Sequence, residues 1–357
     1  MKKILIITLF GNSNFGNKLQ NYALQEYLTK MNNNFEISTQ IIEYEKPLKN
    51  CILVLLWRIY NSFINSKKVL DDRTQKFIDF NNNYLKYSKD IYKMNQKKKI
   101  TGYDYYIYGS DQIWNPFGTG KSDIYMGLLT DNNISYAASI SSNYIPDKLK
   151  SKYIKSLSRF KAISVREYKG KEILDDLLDD KKVNVLIDPT MLLTEKDWIQ
   201  IIKKPNINTS KKYILNYFLG DVSNEIKNEI KRISIENNCE IINLLDKDDP
   251  FYNSGPCEFL YLVKNAFLIC TDSYHSAVFS FLFDRPFIIF ERKTNAGNMY
   301  SRIETLIEMF GLKDRKYNGS SITKNNLNHD YKDAYNILNI ERNKSRKFLE
   351  QSLNINK

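Results

Sequence analysis

The stretch from Phe267 to Phe290 admits few folds. It runs Phe267-Leu-Ile-Cys270, then Thr271-Asp-Ser-Tyr-His-Ser276, then the apolar run Ala277 to Phe283, then Asp284-Arg-Pro286 and Phe287-Ile-Ile-Phe290. Two apolar runs too short for helices flank one short apolar helix. That is the pattern of a strand–helix–strand unit in a parallel sheet buried on both faces. In such a sheet the polar turn falls at the carboxyl end of a strand and the start of a helix. Open α/β sheets hold their ligands there, and helix amides can hold an anion. His275, one of only two histidines in the chain, is therefore a candidate for an anionic substrate site.

The same rhythm extends in both directions. Residues 3–9 read as a first buried strand, Gly11 to Asn17 as a turn, and Lys18 to Lys30 as a helix with apolar residues at helical spacing. Further strands are expected at 35–44, 103–109, 134–140, 162–167 and 183–190, with helices at 153–160 and 169–178. The charged, Asn-rich segment 67–99 reads as helix plus loop. Lys203 to Ser210 is the best linker. Beyond it, strands at 213–219, 239–244, 267–270 and 287–290 alternate with helices near 222–237, 256–265 and 276–283, followed by helices at 297–310 and 331–353. Strand–helix alternation of this kind requires parallel sheets covered by helices. The expected organisation is an α/β unit over 1–202, a second over 203–320, and a basic C-terminal helix within 321–357.

Two other turns carry suitable chemistry. Gly11-Asn-Ser-Asn-Phe-Gly-Asn17 is neither a GxGxxG fingerprint nor a Walker loop. Asn14, Asn17 and Gln20 are neutral groups suited to sugar hydroxyls; the plainer alternative is a solvated turn with Asn17 as the helix N-cap. The segment Gly109-Ser-Asp-Gln-Ile-Trp-Asn115 ends a strand with Asp111, Gln112 and Asn115 around an aromatic Trp114. That set suits carbohydrate recognition, although Trp114 would serve equally well in the core.

The net charge of +12 and a pI near 9.2 invite a nucleic-acid role. The charge is spread along the chain, however, and no nucleic-acid-binding motif accompanies it. Abundant Lys, Asn, Ile and Tyr are what A/T-rich codons would give. Cys51, Cys239, Cys257 and Cys270 form no CxxC pair, which fits a reducing cytoplasm better than a disulfide or zinc framework. No metal cluster is legible. The apolar start is short and lacks a small-residue cleavage site, so it reads as a strand and not as a signal peptide. No apolar run is long enough to span a bilayer. Residues 48–68, apolar with flanking lysines, fit a packed helix best. The other reading is a peripheral helix at a membrane surface.

Six stretches in order, over about residues 1–315, resemble the polysaccharide pyruvyl transferase family. They are Asn14-Phe-Gly-Asn17 with Leu19-Gln20 and Tyr22 to Leu24, Gly109 to Asn115, Ser164-Val-Arg-Glu167, Asp188-Pro-Thr190, Asp272-Ser-Tyr-His275 with Arg285-Pro-Phe287, and Met299-Tyr-Ser-Arg-Ile303. The resemblance implies a GT-B-like architecture, with two Rossmann-like domains facing a cleft, the first on the acceptor side and the second on the donor side. It implies transfer of pyruvate from phosphoenolpyruvate, a co-substrate and not a cofactor, to a glycan or lipid-linked oligosaccharide of the cell surface. Such work belongs in the cytoplasm, up to the inner face of the plasma membrane. Many members carry an arginine two residues before the motif histidine, expected to grip the phosphoenolpyruvate anion. Here that residue is Ser273, which has no charge.

Under this resemblance His275 is the candidate for proton exchange or phosphate binding, since histidine exchanges protons near neutral pH. Asp111 would orient or deprotonate the acceptor hydroxyl. Arg166 is the leading cation for the donor, with Arg292 and Lys293 next and Ser273 and Ser276 adding hydroxyl contacts. Asn14, Asn17, Gln20, Gln112, Trp114 and Asn115 would face the acceptor. Two other functions fit the same architecture. One is a nucleotide-sugar glycosyltransferase, with Glu258 or Glu291 reading a ribose. The other is a glycan-binding protein without catalysis.

Overall fold

The computed structural model describes residues 1–11, 13–43, 71–207, 211–292 and 300–355. Segment 48–68, for which membrane contact was weighed, lies outside these residues, as does Lys293.

The first unit is built on strands β1 (Lys2–Ile7), β2 (Phe35–Glu43), β3 (Tyr87–Lys93), β4 (Tyr105–Tyr108) and β5 (Asn133–Ser135), all parallel and ordered β3-β2-β1-β4-β5. Strands β6 (Ile163–Val165) and β7 (Val183–Val185) pair in parallel beside it. Isolated parallel bridges from Ile134 to Ala162 and from Ala138 to Val165 carry β5 on to β6. The second unit has β8 (Tyr213–Tyr217), β9 (Glu240–Asn243), β10 (Leu268–Thr271) and β11 (Phe287–Ile289), parallel and ordered β11-β10-β8-β9. Two helix-covered parallel sheets are the α/β, GT-B-like architecture expected. Ile4 to Ile7, Ile107, Ile269 and Ile288 are all buried, which explains why these strands read as unbroken apolar runs.

The expected elements differ from the observed ones at several places. Segment 67–99, with the composition of helix plus loop, holds in its described part the helix Asp72–Tyr84 and also the strand β3. Strand β3 is an edge strand whose residues are largely exposed, so it lacks the apolar run that marks the buried ones. The strand expected over 134–140 stops at Ser135, where the backbone bends through Ala137 at φ 48°. The N-cap of the helix Phe15–Met31 is Asn14, not Asn17: the Asn17 amide donates to Asn14 Oδ1 at 3.1 Å.

The two units share one core. Phe15, at the start of the first helix, stacks on Phe259 of the second unit, with centroids 4.6 Å apart and planes 6° from parallel. Trp198 meets Phe279 edge-on at 4.8 Å. The C-terminal helix Lys332–Ser352 touches both units. Its Tyr335 stacks on Phe281 at 5.0 Å, and its Arg342 donates to the carbonyls of Met191 and Leu193, each at 2.7 Å. Among the described residues no helix is long and apolar enough to cross a membrane.

Candidate active site

Each sheet has one point where the chain reverses its order of strand addition. In the first sheet it lies between β1 and β4, in the second between β8 and β10. Clefts in open α/β sheets form at such points, outside the strand ends. The chain leaves β4 into Ser110 and Asp111, and leaves β10 into Asp272 to His275. These two turns, the start of the Phe15–Met31 helix and the ends of β6 and β7 meet at one place.

His275 stands in the first turn of the helix Tyr274–Leu282, and its ring is nearly buried. It lies flat against Gly16 of the other unit: a β-carbon on Gly16 would come within 2.0 Å of His275 Nδ1. Only glycine permits that approach. On its other side, His275 Nε2 lies 3.6 Å from Asp188 Oδ2. That is too long for a hydrogen bond and close enough for an ion pair when the ring is protonated.

Asp188 is fully buried at the end of β7. Its Oδ1 accepts from Thr190 N at 3.0 Å and Thr190 Oγ1 at 2.7 Å, and its Oδ2 from Ser110 Oγ at 3.0 Å and Arg166 Nη1 at 2.5 Å. Burial alone would raise this carboxyl, but His275, Arg166 and the Thr190 amide together hold it far below the usual carboxylate range. Arg166, also buried, lies over the Tyr274 ring at 4.5 Å. Its Nε and Nη2 have no hydrogen-bond partner among the described residues. Neither have His275 Nε2 nor the buried Ser276 Oγ. Four unsatisfied buried groups in one place are the mark of a polar ligand site.

Glu167 does not pair with Arg166. Its Oε1 accepts from Ser139 Oγ, and its Oε2 has no partner among the described residues. Burial pushes its carboxyl up, with Arg166 pulling the other way. On the acceptor side, Asp111 adopts φ 68° and its Oδ1 accepts from Gln112 N at 2.8 Å. Asn17 Nδ2 donates to Leu9 O at 2.8 Å and lies 3.4 Å from Asp111 Oδ2, while Asn17 Oδ1 is buried without a partner among the described residues.

The structure thus brings together His275, Arg166, Ser276, Asp111 and Asn17 from the sequence-derived set. It gives the others different partners. Trp114, suggested as a sugar platform, is 0% exposed, packed on Phe160 and hydrogen-bonded to Tyr125 O at 3.2 Å. It is core, because its apolar flanks Ile113 and Ile124 are buried with it. Gln20 is also fully buried and cross-links the turns: Nε2 donates to Thr8 Oγ1 at 2.9 Å, and Oε1 accepts from Ser110 N at 3.1 Å. It supports the site and offers nothing to an acceptor. Asn14 is an exposed cap, and Asn115 closes its own turn by accepting from Phe117 N at 2.8 Å. Gln112 turns to Arg302. Ser273 N donates to Thr271 Oγ1 at 3.0 Å, in the turn before the histidine. Arg292 is not a spare cation: Asp272 takes its Nε at 2.8 Å while also accepting from the Leu219 and Gly220 amides. Glu258, one candidate ribose reader, is paired with Lys76 at 2.9 Å and accepts from Gly255 N.

Asp188, Arg302 and Gly16 belong to the site although none was singled out for a role. Each lies in a stretch that carried the resemblance. A lone acid closing a buried strand, as Asp188 does, was the available signal. Among the described residues no group of three or more His, Cys, Asp or Glu side chains converges as a metal site.

A family model described as polysaccharide pyruvyl transferase matches residues 14–294. No curated protein matches significantly. Similar solved structures include UDP-GlcNAc 2-epimerases from Neisseria meningitidis, at 12% identity and TM-score 0.45 over 100% of both chains, and from Rickettsia bellii, at 11% and 0.47 over 98% of this chain and 96% of that one. Another is that from Methanocaldococcus jannaschii, at 16% and 0.45 over 95% and 99%.

Proposed function

The chain belongs to the polysaccharide pyruvyl transferase family, and from that premise we propose that it moves the enolpyruvyl group of phosphoenolpyruvate onto two neighbouring hydroxyls of a glycan sugar, giving a pyruvate ketal. The observation that carries this reading is the buried His275–Asp188–Arg166 cluster, with its unsatisfied donors, at the meeting of the two strand-reversal points. A carboxylate and a phosphate ester need cations and hydroxyl donors, and the cluster offers both.

The chemistry follows in order. A proton adds to the methylene carbon, and the adjacent carbon gains oxocarbenium character. A sugar hydroxyl attacks that carbon and loses its proton. The carbon–oxygen bond to phosphate breaks, and inorganic phosphate leaves. A second hydroxyl attacks the same carbon, loses its proton and closes the ring. His275 is the proposed proton carrier, with Asp188 stabilising its protonated form as in other Asp–His pairs. Arg166 Nε and Nη2 are the proposed donors to the phosphoenolpyruvate anion, joined by Ser276 Oγ. Asp111 and Asn17 are the proposed contacts to the acceptor hydroxyls, Asp111 as the base that takes their proton. The proposed setting is the cytoplasm, at the inner membrane face where the acceptor is lipid-linked.

The test is phosphate release from phosphoenolpyruvate in the presence of a panel of hexose and N-acetylhexosamine glycans, with mass spectrometry of the products. Acceptor-dependent phosphate release with a gain of one pyruvate ketal is expected. Consumption of a sugar nucleotide instead, with phosphoenolpyruvate untouched, would replace this reading by a glycosyltransferase one.

A further inference from the structure

The buried charges of the site do not pair off evenly. Arg166 has Asp188 at 2.5 Å and Arg292 has Asp272 at 2.8 Å. Arg302, in the first turn of the helix Ser301–Met309, has no carboxylate within ion-pair distance among the described residues, yet it is only 8% exposed. Its two terminal nitrogens both donate to the side-chain oxygen of Gln112 at 3.0 Å, in the amide orientation that satisfies both groups. Its Nε has no partner among the described residues. Gln112 is neutral, so it aims the guanidinium without countering its charge. Burial pushes the Arg302 guanidinium down to about 10, and the neighbouring Arg166 adds to this, against Asp111 and Glu167. A buried charge of this kind is costly unless an anion meets it.

Gln112 follows Asp111, so its contact with Arg302 sets that guanidinium at the turn leaving β4, one of the turns that meet at the site. Ser273, the position where a positive side chain is lacking, lies in the turn after β10, which meets that turn at the site. We propose that Arg302 is an anion-binding residue of the donor site, gripping with Arg166 one of the two anionic groups of phosphoenolpyruvate and so supplying the charge that residue 273 does not. The proposal rests on the pyruvyl-transfer reading of this site. Among the described residues, Arg166 enters with one nitrogen committed to Asp188 and two without a partner. Arg302 enters with Nε without a partner and its terminal nitrogens held by a neutral amide, again among the described residues. Together they form a two-sided guanidinium clamp of the kind that recognises carboxylate and phosphate.

The experiment is calorimetric titration of phosphoenolpyruvate, inorganic phosphate and pyruvate into the full chain and into the Arg302→Met and Gln112→Glu variants, with thermal melting of each. Arg302→Met should weaken phosphoenolpyruvate binding about 10- to 100-fold, the worth of charge-assisted hydrogen bonds. Gln112→Glu supplies the missing counter-ion. It should raise the melting temperature and at the same time weaken phosphoenolpyruvate by at least about tenfold; a purely structural Arg302 would give the rise alone. This second variant decides the matter even if Arg302→Met fails to fold. Whichever of phosphate and pyruvate loses affinity in the variants identifies the group gripped. Unchanged phosphoenolpyruvate affinity in Gln112→Glu overturns the role of Arg302 and leaves the donor standing. Absence of phosphoenolpyruvate binding by the unaltered, folded chain overturns the donor reading and this one with it.

Discussion

His275 Nε2 lies 3.6 Å from Asp188 Oδ2, and the two residues belong to opposite units of the chain. The pair ties the proton-carrying group of one sheet to the carboxylate of the other. Replacing His275 by Gln should lower turnover by about 10²- to 10⁴-fold, the usual worth of a positioned acid–base group. Stability should change little, because among the described residues the ring's Nε2 makes no hydrogen bond. Phosphate release and urea unfolding, measured together, check both halves. Full activity in that variant would remove His275 from the chemistry.

Asp188→Asn is a different experiment. It leaves the Arg166 guanidinium buried without its partner, and breaking a buried pair on one side costs about 3–5 kcal/mol. The pH dependence of folding should change as well. The Asp188 carboxyl is held far below its ordinary range in the folded state, so the unfolded chain binds the extra proton. Its stabilisation is fully present above the unfolded value of about 4 and is lost as pH falls toward the depressed folded one. Urea midpoints between neutral pH and about pH 3 should fall less steeply in the variant. An unchanged acid limb would contradict this account.

Gly16→Ala should disable the enzyme through sterics alone. The added methyl would sit 2.0 Å from His275 Nδ1, so the ring must leave its place beside Asp188. Turnover should fall by at least about 100-fold, as for other displaced catalytic groups. Gly11→Ala is the control, since a β-carbon there meets nothing within 4 Å, and it should keep near-normal activity.

Lys18 is 1% exposed, and its Nζ lies 3.5 Å from Tyr87 OH and 4.6 Å from the centre of the Phe10 ring. Burial lowers its amine to about 7. The unfolded chain therefore binds more protons between about pH 7 and pH 10, and stability should rise with pH across that range. Lys18→Met should flatten the rise and stabilise the protein at neutral pH by on the order of 1–3 kcal/mol. Thermal melting as a function of pH reads this directly.

Trp114→Ala should cost about 3–5 kcal/mol, as for other large core deletions. Acceptor KM, measured where the variant is still folded, should not move. A selective rise in KM would return Trp114 to the sugar site.

The fold was largely legible because its signals are local. Each buried parallel strand announces itself as an apolar run, and the turn after β10 was bounded by such runs on both sides. Strand β3 escaped because an edge strand has no such run. For a related reason the sequence leaves Trp114 open between cleft and core and points Gln20 toward the acceptor. Residue type and position at a strand end are the same for a side chain that faces the cleft and one that turns back into the protein. Only packing tells them apart, and both turn inward.

The sequence by itself determined the order of strands and helices, and with it the fact that polar turns crowd the carboxyl ends of two parallel sheets. It also marked His275 and Arg166. The tertiary structure alone decided that Gly16 makes room for His275, that Asp188 stands between His275 and Arg166, and that, among the described residues, Arg292 is paired with a carboxylate while Arg302 is not. Hydrophobic periodicity is a property of neighbouring residues and survives in any window of the chain. Charge pairing depends on which distant side chains share a dry volume, and that is fixed only when the two sheets pack.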